Sequence, residues 1–345
     1  MVKTYGWGFT LKILLAIPYN SFKKKIKDVL RKTANALFDI PYYLREDVRI
    51  PEILHLKTLR DYSKLTPISR VELHVSHACN LACESCSHYS NHHFKGNITL
   101  EEADEWMSLW NKKVAPSQIH LMGGEPTIHP QLLDIIRLTR KKWKYTKIFL
   151  VTNGFFLHRH PDLPKVLKEV GNARLVISIH HSSDAYMEKI TPNLTLAKEW
   201  EKKYNLDVKI RPSVTHWTRR YKGYGSGIQP FEDNHPRASW ENCPARRIQL
   251  FEGKLWKCAP LAYLPMMDKK FKLSEKWQPY LQYKPLSPDC SKEELLAFIK
   301  QEEIPQCAMC AAKPEYFELP NPLDRDLGKA GANNQQKSSL YGEGN

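Results

Sequence analysis

The chain has 345 residues, 42% of them hydrophobic and 26% charged, which is enough for about two domains and too apolar for global disorder. Its formal net charge of +15 is lopsided, since residues 1–70 carry 14 Lys and Arg against 6 Asp and Glu; such a surface attracts nucleic acid, anionic lipid or an acidic electron-transfer protein, and charge alone does not choose among them. Eight tightly spaced cysteines without a signal-peptide pattern exclude a disulfide-stapled secreted domain and point to metal binding in a reducing, cytoplasmic compartment, while the longest apolar run, over residues 13–19, falls far short of the ~18 needed to span a bilayer.

Residues 8–38 mix Leu, Ile, Val and Phe with Lys23, Lys24, Lys25, Lys27, Arg31 and Lys32, the pattern of a basic amphipathic helix interrupted at Pro18. Such a helix either packs on a core with its Lys face in water, the commoner outcome, or lies on a membrane surface. Beyond Pro67 strand and helix patterns alternate. Strands are predicted at 71–75, 118–122, 147–152, 173–179 and 207–211, with helices at 100–112, 131–141, 163–170 and 183–204. This alternation implies parallel strands with covering helices. A stretch rich in Gly, Pro and Asn at 221–236 marks a boundary, after which short strand-like runs at 246–251 and 254–257 flank Glu252-Gly253 as a hairpin. The organisation expected is a basic helical extension over 1–66, an α/β domain over 67–235, a cysteine-bearing domain over 236–318 and a disordered tail over 319–345.

Cys79, Cys83 and Cys86 fall on one loop directly after the first strand of the alternation. Three thiolates on a four-iron cube leave one iron without a protein ligand, open to bind something else. The competing reading is structural zinc, with a fourth ligand drawn from His74, His77, His88, His92 or His93. Gly123-Gly124-Glu125-Pro126 stands at the end of the second strand, where paired glycines permit close approach to the backbone and where α/β folds bind ligands.

Together the three-cysteine loop and the Gly-Gly-Glu-Pro motif resemble the radical S-adenosylmethionine superfamily over roughly residues 67–317. The resemblance implies a partial (β/α)6 TIM-like barrel with a small C-terminal auxiliary-cluster domain. It implies a [4Fe-4S] cluster on Cys79, Cys83 and Cys86, which are then the catalytic cysteines, and S-adenosylmethionine cleaved reductively to a hydrogen-abstracting 5′-deoxyadenosyl radical. Gly123, Gly124, Glu125 and Pro126 would contact the methionine moiety, with Glu125 accepting from its amino group. Asn153 and Ser178 would face the ribose hydroxyls, and Arg211 would pair with the methionine carboxylate. Read without the resemblance, Asn153-Gly154 is a turn signal, Ser178 satisfies local backbone and Arg211 is a structural ion pair. The residue before the third cysteine, commonly aromatic in the family and packed near the adenine, is Ser85 here, so His88 or Tyr89 would have to supply that surface.

Cys243, Cys258, Cys307 and Cys310, with Gly253 between the first two, resemble the C-terminal twitch domain, a shortened SPASM domain holding an auxiliary [4Fe-4S] cluster. Four thiolates would leave no vacant iron there, which suits electron transfer. A zinc ribbon is the alternative, and Cys290 is left over as a free thiol. The function expected is hydrogen abstraction from, and oxidation of, a small molecule or carbohydrate, with electrons from a reducing flavodoxin or ferredoxin. The Cys86-Ser87-His88-Tyr89-Ser90 run, which looks like members associated with glycan biosynthesis, points toward carbohydrate. Two alternatives stand beside it: a peptide-modifying maturase, and a non-catalytic metal-binding or nucleic-acid-associated protein, for which Trp217, Arg219, Arg220, Tyr221, Lys222 and Tyr224 form the one aromatic and basic patch.

Overall fold

In the computed structural model, residues 65–213 and 217–324 are described. The expected basic helix at 8–38 and nearly all of the expected tail lie outside them. Strands and helices alternate as β1 (Thr66–Ser76), α1 (Leu100–Trp110), β2 (Val114–Gly123), α2 (Leu132–Lys142), β3 (Lys147–Thr152), α3 (Leu163–Val170), β4 (Ala173–Ile179), α4 (Asp184–Tyr204) and β5 (Asp207–Pro212). After the irregular stretch come α5 (Pro236–Glu241), the hairpin β6 (Ile248–Phe251) and β7 (Lys254–Trp256), then α6 (Ala259–Phe271) and α7 (Lys292–Lys300). The strands form one sheet in the order β5-β4-β3-β2-β1-β6-β7, parallel from β5 through β6, with β7 antiparallel at the edge. This is the mostly parallel α/β architecture expected of a partial TIM-like barrel.

Strands β1 and β2 begin earlier than their apolar patterns indicate, because Pro67 and Pro116 interrupt those patterns without interrupting the strands. Each proline sits where its strand has a neighbour on one side only: β6 pairs with β1 at residues 71–73, and β3 pairs with β2 at residues 118–121. A missing N–H therefore costs no ladder bond there. The hairpin at 246–257 does not stand as a sheet of its own. Its first strand joins the main sheet beside β1, and its turn, with Glu252 at φ 50° and Gly253 at φ 71°, is held by Trp110, whose Nε1 donates to the Gly253 carbonyl at 2.9 Å.

The two faces of the sheet differ sharply. Val71, Leu73, Val75, Ile119, Leu121, Ile148, Leu150, Leu175 and Ile177 are buried under the helices, which present Ala103, Met107, Trp110, Ile135, Ile136, Val166 and Ile190 to them. The alternate residues of β1, Arg70, Glu72, His74 and Ser76, share the opposite face with Gln118 and His120 of β2, Gln249 of β6 and Arg211 of β5, following from the period of two along a strand. A closed barrel would fill that face with bulky branched side chains. Here it is polar. Gln249 Nε2 donates to Glu72 Oε2 at 2.7 Å, and Tyr263 of α6 donates its hydroxyl to Gln249 Oε1 at 3.0 Å.

Candidate active site

The cysteine loop is seated on the end of β2. Ser76 lies in register with Gly123; the Gly124 N–H donates to Ser76 O at 2.7 Å, and the Glu125 N–H donates to Ala78 O at 2.8 Å. A Cβ on Gly124 would stand 2.2 Å from Ala78 O, and one on Gly123 2.3 Å from His74 Cδ2. The close approach that paired glycines permit is thus made by the chain itself, at the root of the loop that carries Cys79.

From that root the loop brings its three cysteines together. Burial pushes the Cys83 thiol well above its ordinary range, and the adjacent Cys79 and Cys86 push it further, since three anions would repel. Burial likewise raises Cys86, against the backbone N–H groups of His88, Tyr89, Ser90 and Asn91, which favour a thiolate at that position. The Leu81 N–H donates to Cys79 Sγ at 3.4 Å, and Asn153 Nδ2 reaches the same sulfur at 3.8 Å.

Glu125 is fully buried and heavily hydrogen-bonded. Its Oε1 accepts from Thr127 N at 2.9 Å and from the Thr127 and Thr152 hydroxyls, while Oε2 accepts only from Asn153 N at 2.7 Å. Burial raises this carboxyl and the four donors oppose that shift. The arrangement ties the end of β3 to the end of β2 and leaves acceptor capacity on Oε2. Pro126, at the start of the 3-10 turn Pro126–Ile128, has no N–H for the Glu125 side chain to cap, and Thr127 takes that place. Asn153 Nδ2 also donates to Asn80 Oδ1 at 2.8 Å, so Asn153 braces the cysteine loop. Between β5 and β4, Arg211 donates through Nη2 to Ser178 Oγ at 3.0 Å.

The second cysteine set converges as well. Cys243 follows α5, Cys258 caps the start of α6, Cys307 lies in the short 3-10 turn Pro305–Met309, and Cys310 caps its end. Burial raises Cys258 well above its usual range, reinforced by Cys243, Cys310 and Cys307. Two cations border the set. Lys257 donates to the carbonyls of Phe298 and Gln301 and is held down to about 8 by burial, while Arg220 opposes the upward shift that burial imposes on Cys310. Cys290 stands apart, under the influence of Lys113, Glu294 and Asp289. Tyr89, 1% exposed, is near both sets: burial raises its hydroxyl, and Cys310, Cys258 and Cys86 all add to that. Among the described residues no three His, Cys, Asp or Glu side chains close on a point at the reach of one metal ion. A four-iron cube holds its thiolates further apart than a tetrahedral zinc with Zn–S of about 2.3 Å. Soft thiols in sets of three and four, Cys83 buried and the others half-buried, suit iron–sulfur clusters, whose cationic iron would take the place of the protons.

Of the flat groups near the loop, Tyr89 has its ring stacked on Tyr221 at 5.1 Å, and His88 is stacked on Tyr263 at 5.5 Å. The aromatic and basic stretch at 217–224 is not an open nucleic-acid face: Tyr221 is 2% exposed and Arg219 pairs with Glu84 of the cysteine loop. Sequence reasoning did not single out Thr127, although it directly follows the Gly-Gly-Glu-Pro motif. It also passed over Glu72, whose place in the polar alternation of β1 was visible.

Residues 73–204, from within β1 through α4, match the family model described as the Radical SAM superfamily. Over 125 residues the chain is 31% identical to the probable GTP 3′,8-cyclase of Saccharolobus solfataricus, and over 128 residues 29% identical to the GTP 3′,8-cyclase of Aquifex aeolicus. Each match covers 36% of this chain and 39% of the relative, so the chain spans about two fifths of the length of these curated relatives. Similar solved structures include BtrN in complex with AdoMet and 2-DOIA, at 16% identity and a TM-score of 0.40 over 62% of this chain and 85% of that one. Another is anSMEcpe with bound AdoMet and Cp18Cys peptide, at 23% identity and a TM-score of 0.34 over 43% of this chain and 44% of that one.

Gly124→Ala forces the loop root off its seat; we expect a loss of about 1–3 kcal/mol in urea denaturation together with weaker iron retention, and a variant of wild-type stability and iron content would contradict the assignment. Burial also holds His88 and His180 near about 4 and His92 near about 3, against an ordinary 6.5. The unfolded chain therefore binds protons that the folded one refuses as pH falls through 6.5, and stability drops toward pH 4 by up to about 1.4 kcal/mol per pH unit for each such histidine. The urea midpoint should be lower at pH 5.0 than at pH 7.5, and equal midpoints would refute the sign.

Proposed function

We propose that this chain is a radical S-adenosylmethionine oxidoreductase that abstracts hydrogen from a small hydroxyl-bearing molecule of the carbohydrate class and passes the resulting electron to an auxiliary four-iron centre. One observation supports this above all: two cysteine sets, of three and of four, border one buried region, with the Tyr89 hydroxyl subject to thiols of both. In this reading residues 67–235 form the barrel domain and 236–318 the auxiliary domain. Cys79, Cys83 and Cys86 hold the first cluster, and Cys243, Cys258, Cys307 and Cys310 the second. When bound, the first cluster and S-adenosylmethionine supply reductive cleavage of the sulfonium.

The remaining work falls to the protein. Glu125 Oε2 keeps an acceptor site for an ammonium, with Oε1 immobilised by three donors, so binding requires no reorganisation of the carboxylate. Ser178 and Arg211 present a hydroxyl and a guanidinium at the ends of β4 and β5 for the ribose and the carboxylate. His77 Nδ1, His88 Nε2, His180 Nδ1 and Trp217 Nε1 are buried with no hydrogen-bond partner among the described residues. Burial keeps His74, His77, His88 and His180 low in pKa and hence neutral, and a neutral imidazole offers one donor and one acceptor, which matches hydroxyl groups better than charged ones. A reducing flavodoxin or ferredoxin, both acidic, fits the basic charge of the chain.

A second reading follows from the curated relatives, which are named GTP 3′,8-cyclases. On that reading the chain rearranges a nucleotide.

Anaerobic reconstitution with iron and sulfide should load about eight irons per chain, and dithionite with S-adenosylmethionine should release 5′-deoxyadenosine. Stoichiometric zinc with no nucleoside product would overturn the proposal. Cys79→Ala, Cys83→Ala and Cys86→Ala together should abolish the product, whereas Cys307→Ala with Cys310→Ala should leave uncoupled cleavage and about half the iron. Consumption of added GTP selects the cyclase reading.

A further inference from the structure

Between the two cysteine sets runs the segment 217–221, bound on both sides. Toward the C-terminal stretch, Arg219 N donates to Glu315 O at 3.0 Å, Phe317 N donates to Trp217 O at 3.2 Å, and Thr218 bridges Tyr316. Toward the cysteine loop, Arg219 pairs with Glu84, and the Tyr221 hydroxyl donates to Asn91 Oδ1 at 3.1 Å. Between these anchors the Arg220 N–H donates to Ser85 Oγ at 2.6 Å. Ser85 is the residue that stands where the loop's family resemblance leads one to expect an aromatic. Its small side chain, on a backbone at φ 57°, gives the strap a hydrogen-bond acceptor in place of a ring.

This backbone anchoring fixes where the Arg220 side chain goes. It lines a small pocket together with Cys243, Cys310, Asn242 and Ser239, and its charge acts on Cys310. Among the described residues no carboxylate pairs with its guanidinium. A guanidinium remains protonated at any working pH. Four thiolates give a four-iron cluster a net negative charge that grows by one on reduction, so a fixed cation in a low-dielectric setting favours the reduced state.

We propose that Arg220 is a positioning residue for electron acceptance: the strap aims its charge at the Cys243–Cys310 side of the auxiliary site and thereby raises that centre's reduction potential. The inference rests on reading the quartet as an iron–sulfur site. In the chemistry at issue one electron enters the oxidised, diamagnetic cluster and yields the reduced, paramagnetic one; in the reaction the substrate radical supplies it, and in the test dithionite does.

The test uses the full chain carrying Cys79→Ala, Cys83→Ala and Cys86→Ala, so that only the quartet is loaded, with about four irons. The cluster's midpoint is followed by electron paramagnetic resonance during a dithionite titration. Arg220→Gln should shift the midpoint to lower potential at unchanged iron content, and Arg220→Lys should recover most of the shift. Since the backbone N–H of Arg220, not its side chain, ties the strap to Ser85, both variants keep the anchoring. Identical midpoints in all three fully loaded proteins would overturn the role of Arg220 while leaving the cluster reading intact. A parent that binds no iron at the quartet would sink the reading and the inference together.

Discussion

Two backbone hydrogen bonds, from Gly124 to Ser76 and from Glu125 to Ala78, determine where everything else in the site can stand. They exist only because positions 123 and 124 lack a Cβ; with one, the root of the cysteine loop would be displaced by a clash with main-chain oxygen that no side-chain rotation relieves. The same motif then turns its carboxylate onto Thr152 and Asn153, so the ends of β1, β2 and β3 are clamped into one unit. A short stretch of sequence thereby sets both the position of the cysteine loop and the orientation of the buried carboxylate beside it.

Charge explains much of the rest. Cys83, Cys86, Cys258, Cys307 and Cys310 are held where burial disfavours their ionised form, and the protein answers with backbone N–H groups at Cys86, Cys258 and Cys307 and with the Lys257 and Arg220 cations beside Cys307 and Cys310. In the proposed reading, metal loading would displace protons from both cysteine sets, so assembly would be favoured at higher pH.

How far the sequence reveals this depends on the range of each interaction. β3, α3 and β4 lie where their apolar periodicity puts them, since each is decided by its own residues. The starts of β1 and β2 were hidden by Pro67 and Pro116, which are harmless only because a neighbouring strand stops short, a fact of register rather than of local pattern. The hairpin was legible from Glu252-Gly253, yet its pairing with β1 joins residues some 177 positions apart and leaves no local trace. The glycines announced a close approach without saying what approaches. Likewise Asn153, Ser178 and Arg211 look like ligand contacts in sequence, and the structure adds the protein partners that hold them. The aromatic and basic run around Arg220 could be found by composition, but only its double anchoring distinguishes a strap between two sites from an exposed patch.

The central claim is that Cys79, Cys83 and Cys86 hold a cluster with one iron left for an incoming amino acid group. Its most direct measurement is the electron paramagnetic resonance spectrum of the anaerobic, reduced Cys307→Ala/Cys310→Ala protein, recorded before and after S-adenosylmethionine is added. The account predicts that the g values of the reduced cluster change on addition, because the cofactor joins the coordination sphere; a spectrum that stays the same at saturating cofactor would contradict it.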